Sequence, residues 1–545
     1  MSSDTVNLKG QKILIVDDHV EARSALKSML DMLHADDVDS ATDGREAMDL
    51  IMENDYDLVL SDYNLGKGKD GQQVLEEARY TNRLRAVSSF VMITGENAID
   101  RVMGALEYDP DAYITKPYTL STLRDKLYRL SLVKATLHPV NTAIDKGEID
   151  WAIELSEQVM TEHPRLLLPV SRIMGKLCLR KKRYQDALAV FDRVLENRPA
   201  SWARLGQAVS LHYLGESEQA FELLRATLDD HPLYVQCHDW LARLLQLRNE
   251  PDEAQKELEA AVEISPRAVL RQLELGQLAL ANEDYPVAQA AFEQAMRLGR
   301  FSCYKSSDTY RQFVEVAQKN LSSAATKENR LLCSKAVRAL DEMRQEFSGQ
   351  LSVIFDANVA ESKTFTIVAD DDKARSSANK AEQVLARMPE PSGSQKLQMT
   401  EVYLDTGQAR KAADTLDKMR DEGIEDDLQQ RFAALEEQLN DINMREVSAD
   451  LNEEGVKHYE AGRYPEAIAA FDRAVRYKEA GISVMLNAVQ AKVSFIEQET
   501  LDVAQLKDCY RLLRRIGSVG RQDDRHDRFE RLKKRCERLR RSAGI

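Results

Sequence analysis

Asp57-Leu58-Val59-Leu60-Ser61-Asp62-Tyr63-Asn64-Leu65 is an apolar β-type run that ends on a carboxylate and passes into a glycine-rich loop, with Gly66, Gly68 and Gly71. Alone it reads as a buried strand and an acidic turn. Other apolar runs end in the same manner. Asp17 and Asp18 close the first, Thr94 closes the fourth, and Lys116, followed by Pro117, closes the fifth. Carboxylates gathered without a counter-charge raise one another's pKa. A Mg²⁺ ion resolves that repulsion, because it is a hard cation that takes oxygen ligands. Asp17 or Asp18, Asp62 and a backbone carbonyl at Asn64 supply such oxygens. Lys116 adds a point charge for a phosphoryl oxygen, and Thr94 adds a hydroxyl. The set suits transfer of a phosphoryl group to Asp62, a reaction that needs mainly positioning and charge stabilisation.

The elements that must hold these residues alternate in type. Lys12–Val16, Asp37–Ala41, Asp57–Ser61, Phe90–Thr94 and Ala112–Thr115 read as strands. Val20–Leu33, Arg45–Glu53, Gly71–Tyr80, Ala98–Leu106 and Leu120–Leu137 read as helices. Repeated βα units predict a parallel sheet with helices on both faces. Ligands of such sheets sit beyond the carboxyl ends of the strands, which is where all the polar residues fall.

Asp17-Asp18, Asp62, Thr94 and Lys116-Pro117 together resemble the signature of bacterial response-regulator receiver domains. Thr94 and Lys116 are 22 residues apart, and Asp18 and Asp62 are 44 apart, as is usual for that family. The resemblance covers roughly the first quarter of the chain. It implies a flavodoxin-like α/β fold, a five-stranded parallel sheet of order 2-1-3-4-5. It implies a histidine kinase or histidine phosphotransfer protein as phosphodonor and Asp62 as acceptor. Asp17 and Asp18 would hold Mg²⁺, and Thr94, Lys116 and Tyr113 would signal phosphorylation. Two features are particular to this chain. Gly66 stands where receivers often have Pro, within a Gly-Lys-Gly-Lys loop. Asn64 and Glu96 match the residue types of the chemotaxis receiver, which implies a short-lived phosphoryl group.

After the receiver, taken as residues 1–136, strand-type runs stop. Pro164, Pro199, Pro232 and Pro266 recur at 33 to 35 residues, with Ala152, Ala187, Ala220 and Ala254 twelve residues before each. Gly175, Tyr184, Ala187 and Phe191 return as Gly276, Tyr285, Ala288 and Phe292. Small residues let paired helices approach, aromatics fill the grooves between pairs, and proline ends the second helix. This pattern resembles the tetratricopeptide repeat, a 34-residue helix–turn–helix unit that stacks into an all-α superhelix. Its packing residues are Gly175, Ala187, Phe191, Gly276, Ala288, Phe292, Gly455, Ala467 and Phe471. We divide this part into repeats at 137–300, degenerate helical repeats at 301–395, repeats at 396–500 and basic capping helices at 501–545. The triple Asp370-Asp371-Asp372 reads as a solvated helix N-terminus. His163, His212, His231 and His238 lack metal spacing and read as surface or cap residues.

A net charge of −16 argues against bulk affinity for nucleic acid or anionic membrane. The last 35 residues reverse the balance, with 13 Lys/Arg against 5 Asp/Glu. Without interleaved aromatics, this tail reads as a solvated capping helix that meets an acidic protein surface sooner than nucleic acid. Six dispersed cysteines suggest a reducing cytoplasm, and no run suits a signal peptide or membrane span. The expectation is a cytoplasmic, non-enzymatic response regulator. Phosphorylation of Asp62 would gate a receiver–repeat interface or a homodimer, and a protein or peptide target would dock in the repeat groove. The alternatives are a phosphorelay inhibitor or phosphate sink acting on its own kinase and, more weakly, nucleic-acid binding by the basic tail.

Overall fold

The computed structural model describes residues 7–95, 110–324, 326–476, 481–498, 502–520 and 522–542. Glu96 and the helix expected at Ala98–Leu106 lie outside them. Five strands form one parallel sheet of order β2-β1-β3-β4-β5: β1 Lys12–Val16, β2 Asp37–Ala41, β3 Leu58–Asp62, β4 Ser89–Gly95 and β5 Ala112–Lys116. Side chains alternate along each strand, so both faces are buried. Ile13, Ile15, Leu60, Val91, Ile93 and Ile114 pack on one side, with Leu26 and Leu30 of α1 (Val20–Met32). Leu14, Val16, Val59, Phe90 and Met92 pack on the other. Their partners are α2 (Gly44–Glu53) and α3 (Gly71–Tyr80).

The next helix, α4, runs from Leu120 to Asp145, past the expected end at Leu137 and through Pro139. An interior proline costs a helix about 3 kcal/mol. Leu137 and Val140 beside it are fully buried among the first helical pairs. At roughly 1.5–3 kcal/mol each, their burial offsets that cost. One continuous helix therefore closes the α/β fold and opens the helical array.

The array continues as α5 (Ile149–Glu162), α6 (Leu167–Arg180), α7 (Tyr184–Asn197), α8 (Ser201–Tyr213) and α9 (Ser217–Asp230). It goes on with α10 (Val235–Leu247), α11 (Pro251–Ile264), α12 (Val269–Ala281), α13 (Tyr285–Gly299) and α14 (Ser307–Asn320). Helices α6, α8, α10 and α12 begin 34 residues apart. The turns between paired helices place Lys182, Gly215, Asn249 and Glu283 at positive φ, one per repeat. A Cβ on Gly175 would come within 2.5 Å of the Phe191 ring, and one on Gly276 within 2.8 Å of Phe292. The Phe191 ring also blocks a Cβ at Gly206, a close approach that the spacing did not single out. Ala187 and Ala288 are fully buried.

The chain separates into two compact units, Met1–Leu321 and Ser322–Ile545. The second contains α15 (Lys327–Glu346), α16 (Leu351–Ile367), α17 (Asp371–Leu385), α18 (Gly393–Asp405) and α19 (Ala409–Glu422). It ends with α20 (Gln429–Glu460), α21 (Tyr464–Val475), α22 (Ile482–Gln498), α23 (Val503–Ile516) and α24 (His526–Ser542). Gly455 on α20 faces the Phe471 ring of α21, where a Cβ would come within 2.6 Å, and Ala467 is fully buried. Asp370 caps α17 by accepting the Lys373 N–H at 3.3 Å.

Two readings are corrected. His238 is not a surface residue: its ring is mostly buried and lies 2.7 Å from Glu257. The basic end is not wholly solvated, because Arg528 and Arg535 of α24 are half-buried and hydrogen-bonded to α22. Among the described residues, no helix is long and apolar enough to cross a membrane.

Candidate functional site

The sheet order places β1, β3, β4 and β5 side by side and brings their polar ends together. Lys116 Nζ lies 2.9 Å from Asp17 Oδ2 and 2.8 Å from Asp62 Oδ2, so one ammonium joins two carboxylates. Asp17 is buried. Its carboxylate accepts the His19 backbone N–H at 2.9 Å, and its carbonyl accepts from Arg23 at 2.6 Å. His19 Nδ1 lies 2.8 Å from Asp18 Oδ1. Ligand atoms of Asp17, Asp18 and His19 all fall within 4.8 Å of one another.

Two carboxylates share a single ammonium here, and burial sharpens the imbalance. Burial pushes the Asp62 carboxyl above its ordinary pKa, and the Asp17 charge adds to the push. The Lys116 hydrogen bond and charge and the Asn64 backbone N–H oppose it without cancelling it. Burial disfavours the Lys116 charge, but its bonds to Asp62 and Asp17 more than offset this and raise its pKa. Among the described residues the neighbourhood is therefore short of positive charge. Thr94, 2% exposed, keeps a buried hydroxyl with no hydrogen-bond partner among the described residues. An oxygen-rich, electron-rich donor set beside an orphaned hydroxyl fits a divalent cation and a phosphoryl oxygen.

The loop after β3 is shaped by close approach. Gly66 has φ +74°, where proline cannot go, and a Cβ there would come within 3.0 Å of Asp18 Oδ2. A Cβ on Gly71 would collide with the Asp62 carbonyl oxygen, so only glycine lets α3 start there. Asn64 is exposed. Tyr113 stands opposite Met92 in the β4–β5 register and is half-buried against the core on the α2–α3 side. His19 and Tyr118 also border the site, although no motif marks them. Burial raises the Tyr118 pKa; the Asp17 and Asp62 charges add to this and Lys116 opposes it. Their adjacency to Asp18 and to Lys116-Pro117 was the available signal.

A family model, the response regulator receiver domain, matches residues 13–128. Chemotaxis protein CheY-3 of Vibrio cholerae is 33% identical over 122 residues, which are 22% of this chain and 92% of that protein. The chain belongs to the response regulators. Chemotaxis protein CheY of Pseudomonas aeruginosa is 29% identical over 119 residues, 22% of this chain and 94% of that protein. Among solved structures, a tetratricopeptide repeat protein from Parabacteroides merdae aligns with 50% of this chain and 98% of its own, at 15% identity and a TM-score of 0.28.

This response regulator keeps α3 under its repeats. Asp70 caps α3 by accepting the Gln73 N–H at 2.9 Å, and Gln73 returns a bond to the Asp70 N–H at 3.1 Å, a capping box. Both residues also reach the repeats. Asp70 pairs with Arg267, and Gln73 Nε2 donates to the Leu298 carbonyl at 3.1 Å. Tyr80 meets the Tyr304 ring edge-on, centroids 5.8 Å apart. Burial and the neighbouring Glu76, to which it is hydrogen-bonded, push the Tyr304 hydroxyl up to about 12. Gln72, Gln73 and Glu76 are all buried in consequence. A second link lies at the other end of the sheet. The Asp145 carboxylate accepts the Ala86 and Val87 N–H groups at 2.6 and 3.2 Å, and Lys134 binds Asp111 at 2.8 Å.

Proposed function

We propose that this response regulator accepts a phosphoryl group on Asp62 from the phosphohistidine of a histidine kinase or phosphotransfer protein, and that its repeats dock a protein partner according to that state. An Asp62 carboxylate oxygen forms the new P–O bond as the donor's P–N bond breaks, and the imidazole nitrogen keeps the electron pair and takes a proton. Lys116 holds Asp62 and Asp17 in place and balances charge. The Thr94 hydroxyl donates to a phosphoryl oxygen, which ends its orphaned state. Asp17, Asp18 and Asp62, with the Asn64 carbonyl, would hold Mg²⁺, whose chemistry is to neutralise charge on the phosphoryl oxygens. No turnover beyond this is assigned to the chain.

The observation that carries the link to the repeats is the position of α3. Its first residue leaves no room for a Cβ beside the Asp62 carbonyl, its cap is paired with Arg267, and its polar face is bonded to Leu298 and Tyr304. A shift in the loop from Asp62 to Gly71 must therefore move, or be resisted by, the repeats. Differential contact in two states is all that such coupling needs. Incubation with acetyl phosphate and Mg²⁺, followed by peptide mass mapping, tests the acceptor. Modification should fall on the Asp62 peptide and vanish in Asp62→Asn. Equal modification of that variant would refute the assignment.

A further inference from the structure

We propose that α20, α22 and α24 form a recognition ladder for an acidic polypeptide segment, centred on Arg528. This rests on the reading of the repeats as a docking surface and names the chemistry of what docks. The rungs are continuous. Asn487 Nδ2 donates to Asn452 Oδ1 at 2.8 Å, and Gln490 Nε2 donates to the Tyr459 hydroxyl at 3.1 Å. That hydroxyl lies 3.1 Å from Ser494 Oγ. Arg528 closes the ladder by donating to Asn487 Oδ1 at 2.6 Å and to Gln490 Oε1 at 2.8 and 3.0 Å.

The amide side chains turn their oxygens toward a guanidinium that meets no carboxylate among the described residues. Burial, with the nearby Arg531 charge, draws the Arg528 pKa below its ordinary value. Its neighbours are compensated: Arg535 pairs with Glu497, and Lys492 with Asp472. A half-buried cation without a counter-ion is costly, and an incoming carboxylate removes the cost. Arg528, Arg531, Arg535 and Arg538 recur at three- and four-residue steps, which puts them along one helix face. Arg531 and Arg538 on that stripe are exposed. The chain's charge of −16 steers bulk polyanions away and leaves this stripe as a local exception. Amide groups beside the arginine suit a polypeptide main chain. Tyr459, the ladder's aromatic, is tied by its hydroxyl and packed edge-on against Tyr464, a poor platform for base stacking.

The test is fluorescence anisotropy of the full-length protein with a labelled peptide of alternating Glu and Ser. Arg528→Gln should weaken binding about tenfold, as loss of a charge-assisted bond to carboxylate does. Arg531→Gln, on the exposed stripe, should weaken it about threefold and should not disturb folding. Arg541→Gln removes the same charge at the helix end and should weaken it less than about twofold. Thermal unfolding of each variant separates lost binding from lost fold. Equal losses in all three variants would overturn the proposal, because only long-range charge would then be at work. So would no measurable binding, or tighter binding of labelled single-stranded oligothymidine than of the peptide. Asp62 is untouched throughout, so those outcomes leave the phosphoacceptor reading standing, and a failed Asp62 labelling leaves this one standing.

Discussion

Two lysines in this chain each join two aspartates, and they do opposite things. Lys116 bridges Asp17 and Asp62; Lys492 lies 2.8 Å from Asp472 and 3.6 Å from Asp508, with Gln505 at 2.7 Å. At the first, the carboxylates are buried (6% and 11% exposed) and the ammonium is 31% exposed. At the second, the ammonium is fully buried and both carboxylates are 37% exposed. Arg511 pairs with Asp508 at 3.0 Å and water screens what charge is left around Lys492, so that cluster is complete and structural. Around Lys116 the surplus is shut in, and only a cation or a proton can relieve it. Which partner is buried separates the reactive cluster from the inert one.

The largest effect should come from Lys492→Ala. Loss of the buried ammonium from a packed site should cost the second unit about 3 kcal/mol, read from its denaturant midpoint, and added Mg²⁺ should change nothing. Lys116→Ala should cost about 1–2 kcal/mol in chelator and regain it in millimolar Mg²⁺. Equal Mg²⁺ responses in the two variants would erase the distinction drawn here. Next comes pH. The folded-state pKa of Asp62 lies above its ordinary 3.8, so the native protein holds a proton that the unfolded chain releases first. That stability is full below about pH 3.8 and falls as pH rises through the folded value. In Asp62→Asn, with chelator present, this part of the slope should disappear from the unfolding profile. The smallest effect is Thr94→Val. It removes an unsatisfied hydroxyl and should change stability by less than about 1 kcal/mol, yet slow labelling of Asp62.

The strand ends were legible because each is local: an apolar run, then a polar residue; the sheet order came from the family resemblance. The 34-residue register was legible for the same reason, since Gly175, Gly276 and Gly455 each meet a phenylalanine in their own hairpin. What escaped was non-local. Nothing local marks Gln72, Gln73 and Glu76 as buried, because Leu298 and Tyr304, which they meet, lie more than 200 positions away. Cys509 and Cys536 read as dispersed, yet both are buried in the core shared by α22, α23 and α24. The helix expected to end at Leu137 continues through Pro139, because tertiary burial of Leu137 and Val140 holds it. Arg528 looked like one charge in a basic tail until its amide partners on α22 were in place.

The coupling of Asp62 to the repeats through α3 is the claim most worth attacking. Hydrogen exchange of the full chain, with and without beryllofluoride and Mg²⁺, addresses it directly. Protection should change both in 71–80 and in 267–304, and both changes should be absent in Asp62→Asn. Changes confined to residues before 95, with 267–304 unaltered, would contradict the account.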